Sequence, residues 1–206
     1  MIDKEIIKKF WTEKSKEKSN RWSGNTILEY ERNLLAPYAK RANKVIDLGC
    51  GHGELSRSIV DRHTYLLGVD YIPDYANSFD KPNQSFVCSS LTDYKPFNVF
   101  DLALLLGVVT YLDLEEENSI YCLLSKCIST TGLVVVKNQC SNEKEFVFNG
   151  YSKFLKTSYS ARYPEYDTQI NRLSYWFNNI NAVKYPEEFN TWKNTFHVAF
   201  FCSNKS

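Results

Sequence analysis

The segment Asp47-Leu-Gly-Cys-Gly-His-Gly53 holds the residues whose types and spacing most directly imply chemistry. Glycines have no Cβ and accept unusual φ values, so a Gly-x-Gly-x-Gly turn lets the backbone approach a ligand closely. The acid ahead of the turn narrows the ligand. A carboxylate at Asp47 is unwelcome beside a pyrophosphate and suits a cationic group such as an ammonium. Asp70 lies 17 residues beyond Gly53, and an acid at that place accepts both ribose hydroxyls in nucleoside-binding α/β folds. A dinucleotide site would instead show Gly-x-Gly-x-x-Gly and a phosphate-compatible strand end. Here the third glycine comes one residue early.

These residues need a strand to deliver them and a helix to receive the turn. Lys44-Val-Ile-Asp-Leu48 reads as that strand, and Leu55 with Ile59 marks the helix that begins as the loop ends. Tyr65–Asp70, Ser85–Cys88, Val99–Leu106 and Gly132–Lys137 read as further strands, the fourth apolar enough to be covered on both faces. Between the fourth and fifth, Asp113 and Glu116 have capping-box spacing. Ile120, Leu123, Leu124, Cys127 and Ile128 follow as the stripe of a helix packed on a sheet. Upstream, a helix is expected over about Asp3–Lys18, and a second one capped by Asn25 with Ile27, Leu34, Leu35 and Tyr38 near one face. Downstream, Ser141–Pro164 is an aromatic, polar insertion, followed by a helix over about Tyr166–Asn178. Ala182–Tyr185 and Phe196–Phe201 are the final strands, of a kind that commonly forms an antiparallel edge. The alternation argues for α/β with a largely parallel sheet. The whole is read as one domain, 1–206, with residues 1–40 as N-terminal helices covering the site and 138–180 as a substrate-side insertion.

Composition excludes several partners. With 25 basic against 24 acidic residues, net charge +1, the chain lacks the basic excess that tracks a phosphate backbone, so nucleic acid is disfavoured. Six scattered cysteines without Cys-x-x-Cys spacing fit reduced, mostly buried thiols. No signal peptide and no membrane-length apolar run is evident, giving a cytoplasmic, non-inserted protein as the expectation. No His/Asp cluster at ligand spacing supports a metal. Oligomeric state is left open.

The pattern from Val45 to about Lys137 resembles the class I S-adenosylmethionine (SAM)-dependent methyltransferases, whose motif runs Asp-x-Gly-x-Gly-x-Gly. The resemblance implies a Rossmann-like, mostly parallel seven-stranded sheet with an antiparallel last strand and helices on both faces. It implies SAM as cofactor and S-adenosylhomocysteine as product. Asp47, Gly49, Cys50 and Gly51 would then serve the methionine portion, and Asp70 the ribose with Tyr71 in the same set. Ser90 and Leu91 would meet the adenine, and Leu106 and Gly107 would keep the methyl donor accessible. The chain has neither the Asn/Asp-Pro-Pro-Tyr segment of exocyclic base-amine methyltransferases nor the Pro-Cys of the cytosine C5 type.

A second resemblance is to methyltransferases encoded among bacterial surface-polysaccharide genes. It rests on Phe10-Trp11, Arg21-Trp22, Asn149–Ser152, Tyr159–Arg162 and Tyr185–His197. It implies a small-molecule or glycan acceptor, a sugar or sugar-phosphate methylated on oxygen. Trp22, Asn138, Gln139, Tyr151, Arg162, Asn190 and Trp192 would line its site, and His197 would be the general base. Equally, a lone His inside Phe196–Phe201 fits a hydrogen-bonded core residue. A further resemblance, to methyltransferases of protein N-terminal amines, keeps open methylation of a peptide or small-molecule amine. A SAM-binding protein without turnover is the third reading. His52 is expected as a solvent-facing spacer, His63 as a cap or surface residue, and Trp176 as core.

Overall fold

The computed structural model describes residues 1–17, 24–190 and 192–204, with the side chains of residues 24 and 25 outside the description. Five helices and nine strands are described: α1 (Lys4–Lys14), α2 (Gly24–Ala39), β1 (Lys44–Leu48), α3 (Ser56–Ile59), β2 (Tyr65–Asp70), β3 (Gln84–Cys88), β4 (Phe100–Leu106), α4 (Leu114–Cys127), β5 (Ile128–Ser141), β6 (Phe146–Ser152), β7 (Thr157–Tyr163), α5 (Tyr166–Ser174), β8 (Asn179–Lys184) and β9 (Thr195–Ser203).

Seven strands form one sheet in the order β3-β2-β1-β4-β5-β9-β8. All run parallel except β9, which pairs antiparallel with both β5 and β8. The expected Rossmann-like sheet with an antiparallel last strand is therefore what the chain forms. The order reverses between β1 and β4, and a crevice at such a switch point, outside the carboxyl ends of the strands, is where open α/β sheets bind ligands.

Burial explains the strand pattern. β1 and β4 are covered on both faces and read as near-continuous apolar runs. One face packs under α4 and α5, with Ile120, Leu124 and Leu173 against Ile46, Val134 and Phe200. The other packs under α2 and α3, with Ile27, Leu35 and Ile59 against Val45, Leu104 and Val135. α4 begins at the foreseen capping box: the Asp113 carboxylate accepts from the Glu116 N–H at 2.9 Å, and the Glu116 side chain accepts from the Asp113 N–H at 3.0 Å.

One local expectation needs correction: α2 is described from Gly24, so Asn25 lies within the helix rather than capping it. The helix expected at the end of the glycine loop forms as α3, a single four-residue turn. Within the expected aromatic, polar insertion, residues 146–163 form a two-stranded antiparallel hairpin, β6-β7, whose buried ring face (Tyr159, Tyr163) packs with Phe10 of α1.

Candidate active site

β1 ends in a loop held open by three glycines in the left-handed region: Gly49 (φ 71°), Gly51 (φ 53°) and Gly53 (φ 63°). Gly49 is also sterically obligatory, because a Cβ there would sit 2.5 Å from a Val108 methyl. The Gly49 and Cys50 N–H groups donate to the Val69 carbonyl at 2.8 and 3.2 Å, which ties the loop to β2. The Asp70 carboxylate finishes the brace, accepting from Gly51 N–H at 3.1 Å and, through its other oxygen, from Ile72 N–H at 3.1 Å. The Tyr71 N–H also serves this carboxylate, and of its about four acceptor positions one is left for a further donor. Burial raises the Asp70 pKa from its ordinary value, only partly offset by these N–H donors. Burial first, then the nearby Asp47 and Asp70, pushes the Cys50 thiol well up, so it stays protonated. Two acids thus flank one turn, a field that favours a cation.

The loop opens on a cavity of about 450 Å³, within the range of small-molecule sites, roughly 300–1,000 Å³. Every residue in the expected cofactor set lines it: Asp47, Gly49, Cys50, Gly51, Asp70, Tyr71, Ser90, Leu91, Leu106 and Gly107. Gly107 has φ 75° and nothing within 4 Å of where a Cβ would be, so the wall is open there. His52 is not a solvent-facing spacer. It is half-buried on the cavity wall, its ring nitrogens 3.0 Å from Ser78 Oγ and 2.9 Å from the Glu17 carbonyl. His63 is exposed, as expected, beside Arg62. Trp176 packs only partly buried on the core and donates to the Asn118 side chain at 3.0 Å.

The expected acceptor residues fare differently. Gln139 and His197 line the cavity; they are register partners across β5 and β9, so they share a face. Asn138 does not line it. Adjacent strand residues point to opposite faces, and Asn138 is wholly buried on the other side with neither amide atom hydrogen-bonded. Arg162 is also elsewhere: 4% exposed, it is paired with Glu117 and, at 2.9 Å, with Glu145. A guanidinium so engaged has no face left for a substrate. Tyr151 is 64% exposed on β6, away from the cavity. Asn190 accepts the His197 backbone N–H at 3.1 Å and so shapes the β9 entry rather than lining the cavity. Trp192 packs on Phe148 and Tyr163 of the hairpin. Trp22 lies outside the described residues.

His197 sits beside Lys137 and near Tyr185, ring centroids 6.0 Å apart. Burial and the Lys137 cation depress its pKa to about 3, with Glu31 opposing weakly. It is neutral at physiological pH, and its Nδ1 has no hydrogen-bond partner.

Sequence reasoning missed several cavity residues. Lys137 is one residue from the expected Asn138, and strand alternation with Gln139 would have found it. Glu31 of α2, 3% exposed, faces Lys137 at 3.4 Å. Tyr111 is another; with Trp11 and Tyr159, which lie in segments that carry the second resemblance, it forms an aromatic wall, and no local spacing joins residues so far apart. α1 covers the mouth with Lys4, Ile7, Lys8 and Trp11. It is fastened by Lys4 to Glu116 and by the Asp3 N–H to Ser160 Oγ at 2.8 Å.

Residues 46–136 match the family model described as a methyltransferase domain. Phosphoethanolamine N-methyltransferase of Plasmodium falciparum is 27% identical over 137 residues, 63% of this chain; the match spans 52% of that protein, about half its length. Among solved structures, Burkholderia thailandensis 1,6-didemethyltoxoflavin-N1-methyltransferase, with bound 1,6-didemethyltoxoflavin and S-adenosylhomocysteine, superposes with a TM-score of 0.77 at 12% identity. That superposition covers 98% of this chain and 88% of that one. The N-terminal domain of EvdMO1, in the presence of S-adenosylhomocysteine and D-fucose, gives 0.69 at 11% identity, covering 100% and 98%. The fold is the α/β Rossmann-like fold of SAM-dependent methyltransferases, and residues 46–136 match a methyltransferase domain.

Proposed function

We propose that the chain transfers the SAM methyl group to a nitrogen of a small acceptor bound between the glycine loop and the Trp11–Tyr111–Tyr159 wall. SAM, when bound, supplies an electrophilic methyl on a sulfonium. Asp47, Gly49, Cys50 and Gly51 would hold its methionine portion, Asp70 its ribose hydroxyls, and Ser90 and Leu91 its adenine. The spare acceptor capacity of Asp70 and the two-acid field at the loop fit those groups.

The observation that carries the nitrogen reading is the setting of His197. Methylating a hydroxyl calls for a base to take its proton as the C–O bond forms. His197 beside Lys137 is a poor one, since burial and the Lys137 cation depress its pKa to about 3 and leave the imidazole with little affinity for the proton it would have to take. A neutral amine needs no such base, because its lone pair attacks directly and the proton leaves afterwards. The N-methyltransferases among the similar proteins are consistent with this. The expected hydroxyl of a sugar or sugar-phosphate in surface-glycan synthesis is the second reading, supported by the D-fucose present with the EvdMO1 domain.

The experiment is calorimetry with SAM and S-adenosylhomocysteine, followed by turnover on small amines and on hexoses. Cofactor binding with methylated amine as product is expected. A folded protein that binds neither cofactor form overturns both readings, and methylation of hexoses alone selects the second.

A further inference from the structure

Two phenols face the cavity from elements far apart in the chain. Tyr111 ends the turn after β4, and Tyr159 lies on β7; their hydroxyls are 2.8 Å apart. Trp11 stands edge-on to Tyr111 (5.3 Å, 87°), and Phe10 packs against Tyr159 (5.3 Å, 70°). Burial raises both phenols, so each keeps its proton. One O–H is used between the two oxygens. Tyr163 also hydrogen-bonds Tyr159 and Thr110 hydrogen-bonds Tyr111, and the capacity that remains on the two oxygens is the directed polar group of an otherwise aromatic wall.

Arg162 joins the two elements. Its Nε donates to the Leu112 carbonyl at 3.1 Å, the residue after Tyr111. Its guanidinium is held by Glu117 of α4 and by Glu145, which Arg172 also pairs at 2.9 Å. Since Arg162 is on the same strand as Tyr159, one side chain ties the strand of one phenol to the turn of the other.

We propose that the Tyr111–Tyr159 hydroxyl pair seats the acceptor nitrogen, that the acceptor is accordingly a small primary or secondary amine, and that Arg162 is the positioning residue for the pair. This rests on the nitrogen reading above. The acceptor enters as the free amine, its ammonium having given one proton to water, and a phenol oxygen accepts an N–H, which leaves the nitrogen lone pair free to point along the cavity. As the N–C bond forms, the C–S electron pair goes to sulfur and positive charge grows on nitrogen, where ring faces favour it. The resulting ammonium releases one proton to water.

The test uses the full chain with SAM, a panel of small primary and secondary amines including phosphoethanolamine, and a panel of hexoses including D-fucose. Tyr111→Phe and Tyr159→Phe are each expected to lower kcat/KM for the amine about tenfold or more, with SAM affinity unchanged by calorimetry. In an Arg162→Lys background, Tyr159→Phe should add less than about a twofold loss, because the pair is already misplaced. A role in folding alone would leave the two effects independent. If wild type methylates an amine and both Phe variants keep kcat/KM within about twofold, the assignment of the pair fails while the nitrogen reading stands. If the pair behaves as expected but Arg162→Lys and Tyr159→Phe act independently, the positioning role fails. Turnover of no amine, with or without a methylated hexose, overturns both the pair and the nitrogen reading.

Discussion

The proposed cofactor side and the proposed acceptor side of the cavity are built on different principles. The cofactor side is mostly main chain: a glycine loop, strand ends and one carboxylate that braces the loop it serves, all drawn from residues 47–107. The acceptor side is mostly side chains, converging from α1, α2, the Tyr111 turn, β5, β7 and β9. A main-chain site tolerates changes of neighbouring side chains but not of its glycines. A side-chain site depends on the buried connections that bring distant elements together.

That contrast predicts a ranking of damage. Arg162→Met should be the most severe, because it strands Glu117, 1% exposed, without its nearest cation. Breaking a buried pair this way costs about 3–5 kcal/mol, and Arg172, 3.6 Å away, compensates only in part. A large fall in melting temperature is expected, with SAM affinity retained in whatever stays folded. Loss of SAM affinity in proportion would mean the two sides are not separable.

Gly49→Ala should do the reverse. The left-handed φ alone costs about 1–2 kcal/mol, and the added methyl strikes Val108. SAM affinity should fall more than about tenfold, whereas Gly107→Ala, with open space around it, should lose less. Equal losses would show that φ and not the close packing governs the loop.

Asp70→Asn sharpens the comparison further. An acid whose folded pKa is raised favours the fold when protonated, so that contribution is lost as pH rises from its ordinary value through the raised one. At pH 7 the charged form is a net burden, and the neutral amide should leave the ligand-free protein as stable or slightly more so. SAM affinity should meanwhile fall about tenfold. Paired melting and calorimetry check both halves.

The smallest effect is expected at His197. Its folded pKa of about 3 lies below the ordinary 6.5, so the unfolded chain takes the proton first. Stability contributed here is present above pH 6.5 and lost as pH falls towards 3. His197→Asn should flatten that acid limb, measurable as melts at several pH values across the window. Turnover in the wild type should show no inflection near 6.5 arising from this residue.

How much could be read in advance follows the same division. Asp47, the three glycines and Asp70 lie within one strand-loop-helix-strand unit, where spacing along the chain is spacing in the site. β1 and β2 were bounded to the residue for that reason, since burial on both faces makes apolar runs unambiguous. Tyr111 and Tyr159 meet only because a hairpin folds back over α4 and α1, and no local periodicity encodes that. Asn138 illustrates a different failure: Lys137 and Gln139 on either side of it line the cavity, and adjacent strand residues never share a face. Arg162 misled through its chemistry, since a cation in an aromatic stretch looks ready for a ligand until its buried glutamates are known.

β9 carries a consequence for how the chain assembles. Residues Val134–Ser141 find their partners at Thr195–Cys202, and among the described residues β8 pairs only with β9. The strand formed from the most C-terminal of the sheet segments is therefore interior to the sheet. The β1–β4 half can dock from contacts close in sequence, while joining β5 to β9 needs a long loop to close, a slow step for a growing chain. During synthesis the glycine loop can form well before the strand that carries His197 leaves the ribosome. Until then the apolar rim of β5 is the exposed edge on which misassembly would start.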